Sequence, residues 1–244
     1  YHAMKYMLEM GVTEDHRQQG IGKAFYQTVF EHLADLGLLS ISCQVSEANE
    51  AGLEFAARRG YAEQKRDFIS TLDLNTFDPS NFGQSINGLE INSLEELDSP
   101  EIHQHWFDLF TLVRQDVPRS APPTPLTFEF FQTQIIHEPD LVRTATLFAF
   151  KDGHMVGFTA GFHDQENHHF DQWLTATHRD YRGQGIAFAL KVAQATEAKR
   201  LGIAGIKTDN DTRNKPMLAI NDKLGFVRQP AVLSLSRDFW GCQG

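Results

Sequence analysis

The stretch Asp180-Tyr181-Arg182-Gly183-Gln184-Gly185-Ile186-Ala187 decides how this chain is read. Two glycines flank a polar residue directly before an apolar-periodic run, Gly185–Leu201, which closes at Gly202. Glycine enters the left-handed backbone region at no steric cost, so a turn of this kind lets the main chain pass close to a bulky anion. The helix that follows leaves the N–H groups of its first turn unpaired and pointing at that anion. Such a nest suits a pyrophosphate. It lacks the Gly-Lys-Ser/Thr of a Walker A loop and the Gly-x-Gly-x-x-Gly of dinucleotide folds.

One copy of so short a motif would read first as a plain glycine turn that starts a helix. A second copy reverses that reading. Asp15-His16-Arg17-Gln18-Gln19-Gly20-Ile21-Gly22 stands 165 positions upstream, and the same offset keeps producing matches. Ala24 meets Ala189, Leu36-Gly37 meets Leu201-Gly202, Asn49 meets Asn214, and Leu53 meets Leu218. Gly60-Tyr61 meets Gly225-Phe226, and Gln64 meets Gln229. No gap is needed from Asp15 to Gln64, so the chain contains a duplicated unit.

The second copy predicts a strand at Leu89–Leu94, then a helix capped by Asp98 or Ser99 with Pro100 in its first turn. That helix carries Ile102, Trp106, Phe107, Phe110 and Val113 on one face and ends near Pro118. Pro118–Pro125 holds four prolines and reads as a stiff loop, and Phe128–Ile136 as a second short helix. Strands follow at Thr144–Phe150 and Met155–Phe162, joined by the turn 151–154, and at Phe170–Thr177. The glycine-headed helix, a strand at Ile203–Thr208, a helix at Lys215–Leu224 and a strand at Val232–Leu235 complete a β-α-α-β-β-β-α-β-α-β order. The first copy begins only at the fourth strand, Tyr6–Val12. It continues through Ile21–Leu36, Leu38–Val45, Glu50–Arg59 and Asp67–Leu74. The reading is a mixed α/β (α+β) protein with a truncated half-domain at 1–77, a linker at 78–88 and a complete domain at 86–241.

The chain has 244 residues, 41% hydrophobic and 22% charged, with a formal net charge of −10. That balance fits a globular protein with a full core and argues against general nucleic-acid binding, which needs a basic face. No apolar run reaches the ~20 residues of a membrane span. Tyr1–Met10 lacks the features of a signal peptide, and Tyr1-His2-Ala3-Met4 reads either as a remnant with Met4 as native start or as the continuation of lost upstream residues. Two cysteines, Cys43 and Cys242, make neither a disulfide framework nor a four-cysteine zinc site, which leaves the cytoplasm as the expected compartment.

Residues 86–239 resemble a complete acetyltransferase domain of the GCN5-related N-acetyltransferase (GNAT) superfamily. The resemblance rests on Arg182-Gly183-Gln184-Gly185-Ile186-Ala187 and on Asn214-Lys-Pro-Met217-Leu-Ala-Ile220-Asn221-Asp-Lys223-Leu-Gly225-Phe226. Residues 1–75 resemble the C-terminal half of a second such domain, and the tandem arrangement is similar to mycothiol synthase and its relatives. The resemblance implies acetyl-CoA, or another acyl-CoA, as donor and an amine of a small molecule as acceptor. Arg182, Gly183, Gln184, Gly185, Ile186 and Ala187 would hold the pyrophosphate. Pantetheine would lie between two parting strands near Thr177 and Arg179. Asn214 would reach the cofactor or serve as a plain N-cap.

The carboxylate base of many relatives falls eleven positions before Arg182, at Asp171, with Glu166, His168 and His169 close by. The family's acidic tyrosine is replaced by Asn221, whose amide cannot give up a proton. In the first copy Arg17, Gly20, Gly22 and Asn49 keep the cofactor loop, but Tyr6 and Ala56 occupy the base and acid positions. That copy therefore reads as a non-catalytic packing domain whose open side is covered by the second domain or by another chain, as in a homodimer. The competing reading for the whole is a non-catalytic acyl-CoA-binding or assembly protein. His103 with His105, and His168 with His169, have the wrong spacing to share a face, so no metal site is expected. Trp106, Phe110, Phe128 and Phe131 read as core, and Cys43 as buried filler.

Overall fold

The structure is a computed structural model, and it describes residues 4–83, 86–116 and 125–239. Tyr1–Ala3, Cys242 and all of the proline-rich loop except Pro125 lie outside the described residues. The chain divides into two compact units: Tyr1–Asp67 with Pro230–Gly244, and Phe68–Gln229. The sequence boundary at 78–88 and this division differ, and the last strands explain why.

In the first unit the elements are β1 (Lys5–Met7), α1 (Ile21–Asp35), β2 (Ser40–Ser46), α2 (Glu50–Ala57) and the first half of β3 (Ala62–Asp73). β1 pairs parallel with β2, and it is shorter than the strand expected over Tyr6–Val12. In the second unit follow β4 (Leu89–Ser93), α3 (Leu94–Leu97), α4 (Pro100–Val113) and α5 (Phe128–Phe131). Next come β5 (Leu147–Lys151), β6 (His154–Asp164), β7 (His169–Thr177), α6 (Ile186–Arg200), β8 (Gly205–Asp211), α7 (Lys215–Leu224) and β9 (Val227–Arg228). The short α3, absent from the sequence reading, is closed by a capping box in which Ser93 and Glu96 satisfy each other's backbone N–H groups.

The last strand, β10 (Val232–Asp238), pairs antiparallel with β2 on one side and with Ala62–Asp67 of β3 on the other. Sequence similarity groups this strand with residues 86–241; its ladder partners put it in the first unit. The second half of β3 meanwhile lies beside β8 in the second unit, and its Ser70 and Thr71 pair with β9. β3 and β10 are repeat equivalents, so each unit is closed by the strand that the other copy's sequence supplies.

The second unit's sheet runs β3-β8-β7-β6-β5-β4. One face is covered by α4 and α5 around the fully buried Trp106, whose ring meets Phe131, Phe148 and Phe158 at 5.2–5.9 Å in edge-on geometry. Phe110 and Phe131 are buried there and Phe128 is half-buried, as their helical spacing predicts. The other face is covered by α6, whose Ile186 and Leu190 pack on Leu147, Ala149 and Val156. The repeat equivalents of those two helix residues, Ile21 and Phe25 on α1, are exposed, as is Met7 on β1.

Candidate active site

β7 and β8 are parallel and pair only at His169–Gly205, Phe170–Ile206 and Asp171–Lys207. β7 then runs on to Thr177 and β8 to Asp211 without pairing further with each other, so the two strands part just beyond Asp171. The carbonyl of Gln172 accepts a hydrogen bond from the Thr208 hydroxyl at 3.3 Å, a side-chain substitute for the ladder at the parting point.

A β-bulge sits at the same place. Leu174 pairs with Ala160 and Gln172 with Gly161, leaving Trp173 as the extra residue. Before the bulge Phe170 and Gln172 face α6; after it Thr175 and Thr177 do. Trp173 and Leu174 therefore both turn to the α4 face, where Trp173 lies 5.3 Å from Phe110 and 6.0 Å from Phe162, centroid to centroid. Gly161 has to be glycine, because a Cβ there would come within 2.5 Å of the Phe170 ring and 2.6 Å of the Asp171 carbonyl.

Asp171 faces the α4 side, about half exposed, with Lys207 Nζ 3.9 Å from its carboxylate. It lines an open pocket of about 550 Å³ together with Asp140, Phe162, His163, Asp164 and Glu166. Of the neighbouring candidates the structure brings Glu166 to Asp171; His168 and His169 do not line this pocket. Hydrogen bonds from the Asn167 side chain and backbone hold the Asp164 carboxyl below its usual range.

Beyond β7 the glycine-rich turn has the backbone its sequence demands. Gly183 and Gly185 have φ of +76° and +81°, and Gly185 is the left-handed N-cap of α6. A Cβ on Gly183 would meet nothing within 4 Å, so the turn opens to free space. Arg182 donates from Nε to the Thr177 carbonyl at 3.3 Å, tying the loop back to the end of β7. Its Nη2 and that of Arg179 both reach Asp116, at 2.5 and 3.1 Å, from a turn that follows α4. The hydrogen bond from Arg182, and then the two guanidinium charges, hold Asp116 below the usual carboxylate range. Gln184 accepts from Lys151 Nζ at 2.7 Å, Ile186 is buried, and Ala187 is half-buried. Asp116 was not visible as a site residue in the sequence, since it belongs to no motif and lies far from its partners along the chain.

The first copy keeps the same backbone: Arg17 Nε donates to the Val12 carbonyl at 3.1 Å, and Gln18 and Gly20 have φ of +62° and +83°. Gly22 lies inside α1, in the position equivalent to Ala187. Asn214 and Asn49 both act as N-caps, accepting from Met217 N–H and Gly52 N–H. Asn221, on α7, is buried; its amide donates to Asn210 Oδ1 at 2.7 Å, and its own Oδ1 has no hydrogen-bond partner among the described residues. Asn210, on β8 beyond its pairing with β7, is a second residue the sequence did not single out. Among the described residues no group of three or more His, Cys, Asp or Glu side chains could hold a metal ion. No described helix is long and apolar enough to cross a membrane.

Beneath the parting point Lys191 of α6 is fully buried, and burial alone lowers its pKa to about 7. Its Nζ donates to the Gln172 Oε1 and lies 4.9 Å from the centroid of the Phe226 ring. An unfolded lysine titrates near ~10.4, so between about pH 7 and 10 the unfolded chain binds more protons at this position than the native one. Raising the pH across that window therefore stabilises the fold through Lys191, and below about 7 the group contributes no slope. Thermal unfolding at pH 7 and 9 should show the parent protein gaining on Lys191→Met as the pH rises; a constant difference would contradict a neutral lysine.

Residues 2–61 and 101–226 match the acetyltransferase (GNAT) family, more than half of the chain. The chain belongs to that family, whose members are acetyltransferases that generally draw the acetyl group from acetyl-CoA. Its fold is similar to that of a GCN5-related N-acetyltransferase from Sphaerobacter thermophilus, with a TM-score of 0.71 at 17% identity, covering 93% of this chain and 70% of that one. It is likewise similar to a tandem GNAT protein from the clavulanic acid biosynthesis pathway, with a TM-score of 0.72 at 20% identity, covering 97% of this chain and 75% of that one.

Proposed function

We propose that the second unit transfers an acetyl group from acetyl-CoA to an amine of a small molecule. The observation that carries this reading is the coincidence of three features: parallel strands parting after Asp171, a positive-φ loop at the head of α6, and a carboxylate at the parting point. The backbone fits an acyl-CoA. Gly183 and Gly185 give the loop its left-handed turn, and the first-turn N–H groups of α6 suit a pyrophosphate. The edge of β7 from Trp173 to Thr177 carries main-chain groups that β8 does not pair, a complement for an amide-bearing arm. Bound acetyl-CoA would supply an acyl thioester open to attack by an amine.

The chain's own residues then have separable tasks. Arg182 keeps the loop fixed on β7, and Asp116 fixes Arg182 and Arg179. Asp171 accepts the proton of the incoming amine, which is mostly protonated near neutral pH and cannot attack until it loses one. The carboxylates of Asp140, Asp164 and Glu166 in the same pocket favour the approach of a cation. Asn221 and Asn210 hold no transferable proton, so the thiolate takes its proton from water or another residue, or leaves without one. Free CoA thiol released from acetyl-CoA by a panel of small amines tests the reading; binding without any release would reject it.

The first unit serves packing and not catalysis, with Tyr6 and Ala56 at the positions of base and acid. Its exposed Met7, Ile21 and Phe25 support a homodimer that covers this face, since Ile186 and Leu190, the equivalents of the two helix residues, are buried by strands. Sedimentation equilibrium should return a dimer mass, reduced to the monomer by Phe25→Glu; a parent monomer would refute it.

A further inference from the structure

The most unusual side chain in the second unit is Lys191: an amine 2% exposed, facing a neutral amide and a phenylalanine ring. Burying an amine without a carboxylate is costly, and a hydrophobic residue would fill the site more cheaply. What it touches gives the reason for its presence. Its partner Gln172 is the residue immediately after the last β7–β8 pair and immediately before the bulged Trp173. The Gln172 amide in turn donates to Gln194 Oε1; Gln194 donates to the Ala145 carbonyl at 2.8 Å and accepts from Thr159 at 2.8 Å. Thr159 also meets Thr175 at 2.7 Å, on the far side of the bulge. Both ends of the bulge are thus tied to one buried network under the sheet, with Lys191 at its end. Meanwhile the Gln172 carbonyl is held by Thr208.

We infer that Lys191 is a positioning residue for the acyl-CoA groove: by clamping Gln172 it fixes where β7 leaves β8 and so keeps the edge of β7 open. The inference rests on the acyl-CoA reading above. Two parallel strands in contact gain by extending their ladder, and only a fixed irregularity stops them. A bulge with one end untied can shift by a residue, which would turn Trp173 or Leu174 toward the other face and blunt the groove. Binding is then weakened through lost preorganisation and not through a lost contact.

Calorimetric titration of acetyl-CoA into the whole chain tests this. Lys191→Met and Gln172→Leu should each raise Kd about tenfold, and the double variant should be no worse than Gln172→Leu, because that change already removes the tie to Lys191. The double variant replaces the pair by apolar groups, so it also serves if a single variant fails to fold. Leu94→Ala, which hollows the core on the α4 face, should lower Tm and leave Kd unchanged. An unchanged Kd in the Lys191 and Gln172 variants overturns the inference. So do effects that multiply in the double variant, or an equal loss in Leu94→Ala. If the parent protein itself fails to bind acetyl-CoA, the acyl-CoA reading falls and takes this inference with it.

Discussion

Replacing Asp171 with asparagine should lower turnover by about 10²–10⁴-fold while acetyl-CoA binding stays unchanged. Asparagine keeps the size and hydrogen-bonding reach of the side chain but cannot take up a proton. The position is about half exposed and its ion pair with Lys207 is long, so the fold should lose no more than about 0.5 kcal/mol. The separation of turnover from binding is the informative part, because Asp171 faces the α4 side and the glycine loop lies at the far end of β7. Glu166 lines the same pocket and is one of the carboxylates able to substitute. Residual turnover in Asp171→Asn should therefore fall further in the double variant with Glu166→Gln. Full turnover in the double variant, read as CoA thiol released with amines, would remove Asp171 and Glu166 as the base.

Gly185→Val should weaken acetyl-CoA binding about 100-fold. A β-branched residue at φ of +81° is a backbone outlier, and holding one there costs about 1–3 kcal/mol. At about 1.4 kcal/mol per factor of ten, the upper end of that strain accounts for the expected loss. The loop escapes the strain by moving its N–H groups off the anion. The duplicated unit supplies a control within the same molecule: Gln18 holds the position equivalent to Gly183 at φ +62°. Gly183→Gln should accordingly bind within about threefold of the parent protein, since open space surrounds that position and glutamine already adopts the conformation in the other copy. Equal Kd values for Gly185→Val and the parent protein would show that the loop does not hold the cofactor.

What the sequence made legible was local. Gly183, Gly185, Gly202 and Gly225 stand where the backbone enters the left-handed region, and Asn49 and Asn214 stand where helices begin. Each of these residues is chosen by its own few bonds, so the pattern survives duplication at one offset. What escaped the sequence was set by distant partners. Asp116 acquires its role from Arg179 and Arg182, more than sixty positions away. β10 has a strand's pattern, but nothing in its seven residues states that its neighbours are β2 and β3. Nothing in the sequence marks Lys191, yet α6 buries Lys191 and Gln194 on the side that packs against β7. The bulge at Trp173 reverses the alternation along β7 midway, so period-two reasoning from Phe170 assigns the wrong face to every residue after it.

The most direct test of the central claim is to incubate the whole chain with acetyl-CoA and a panel of small primary amines, following free thiol and N-acetylated product by mass spectrometry. The structure predicts at least one amine acetylated in equal amount to the CoA released, with both signals strongly reduced in Gly185→Val at acetyl-CoA concentrations below that variant's raised Kd and strongly reduced in Asp171→Asn. Acetyl-CoA bound by the parent protein, with no amine acetylated and no response to Asp171→Asn, would contradict it.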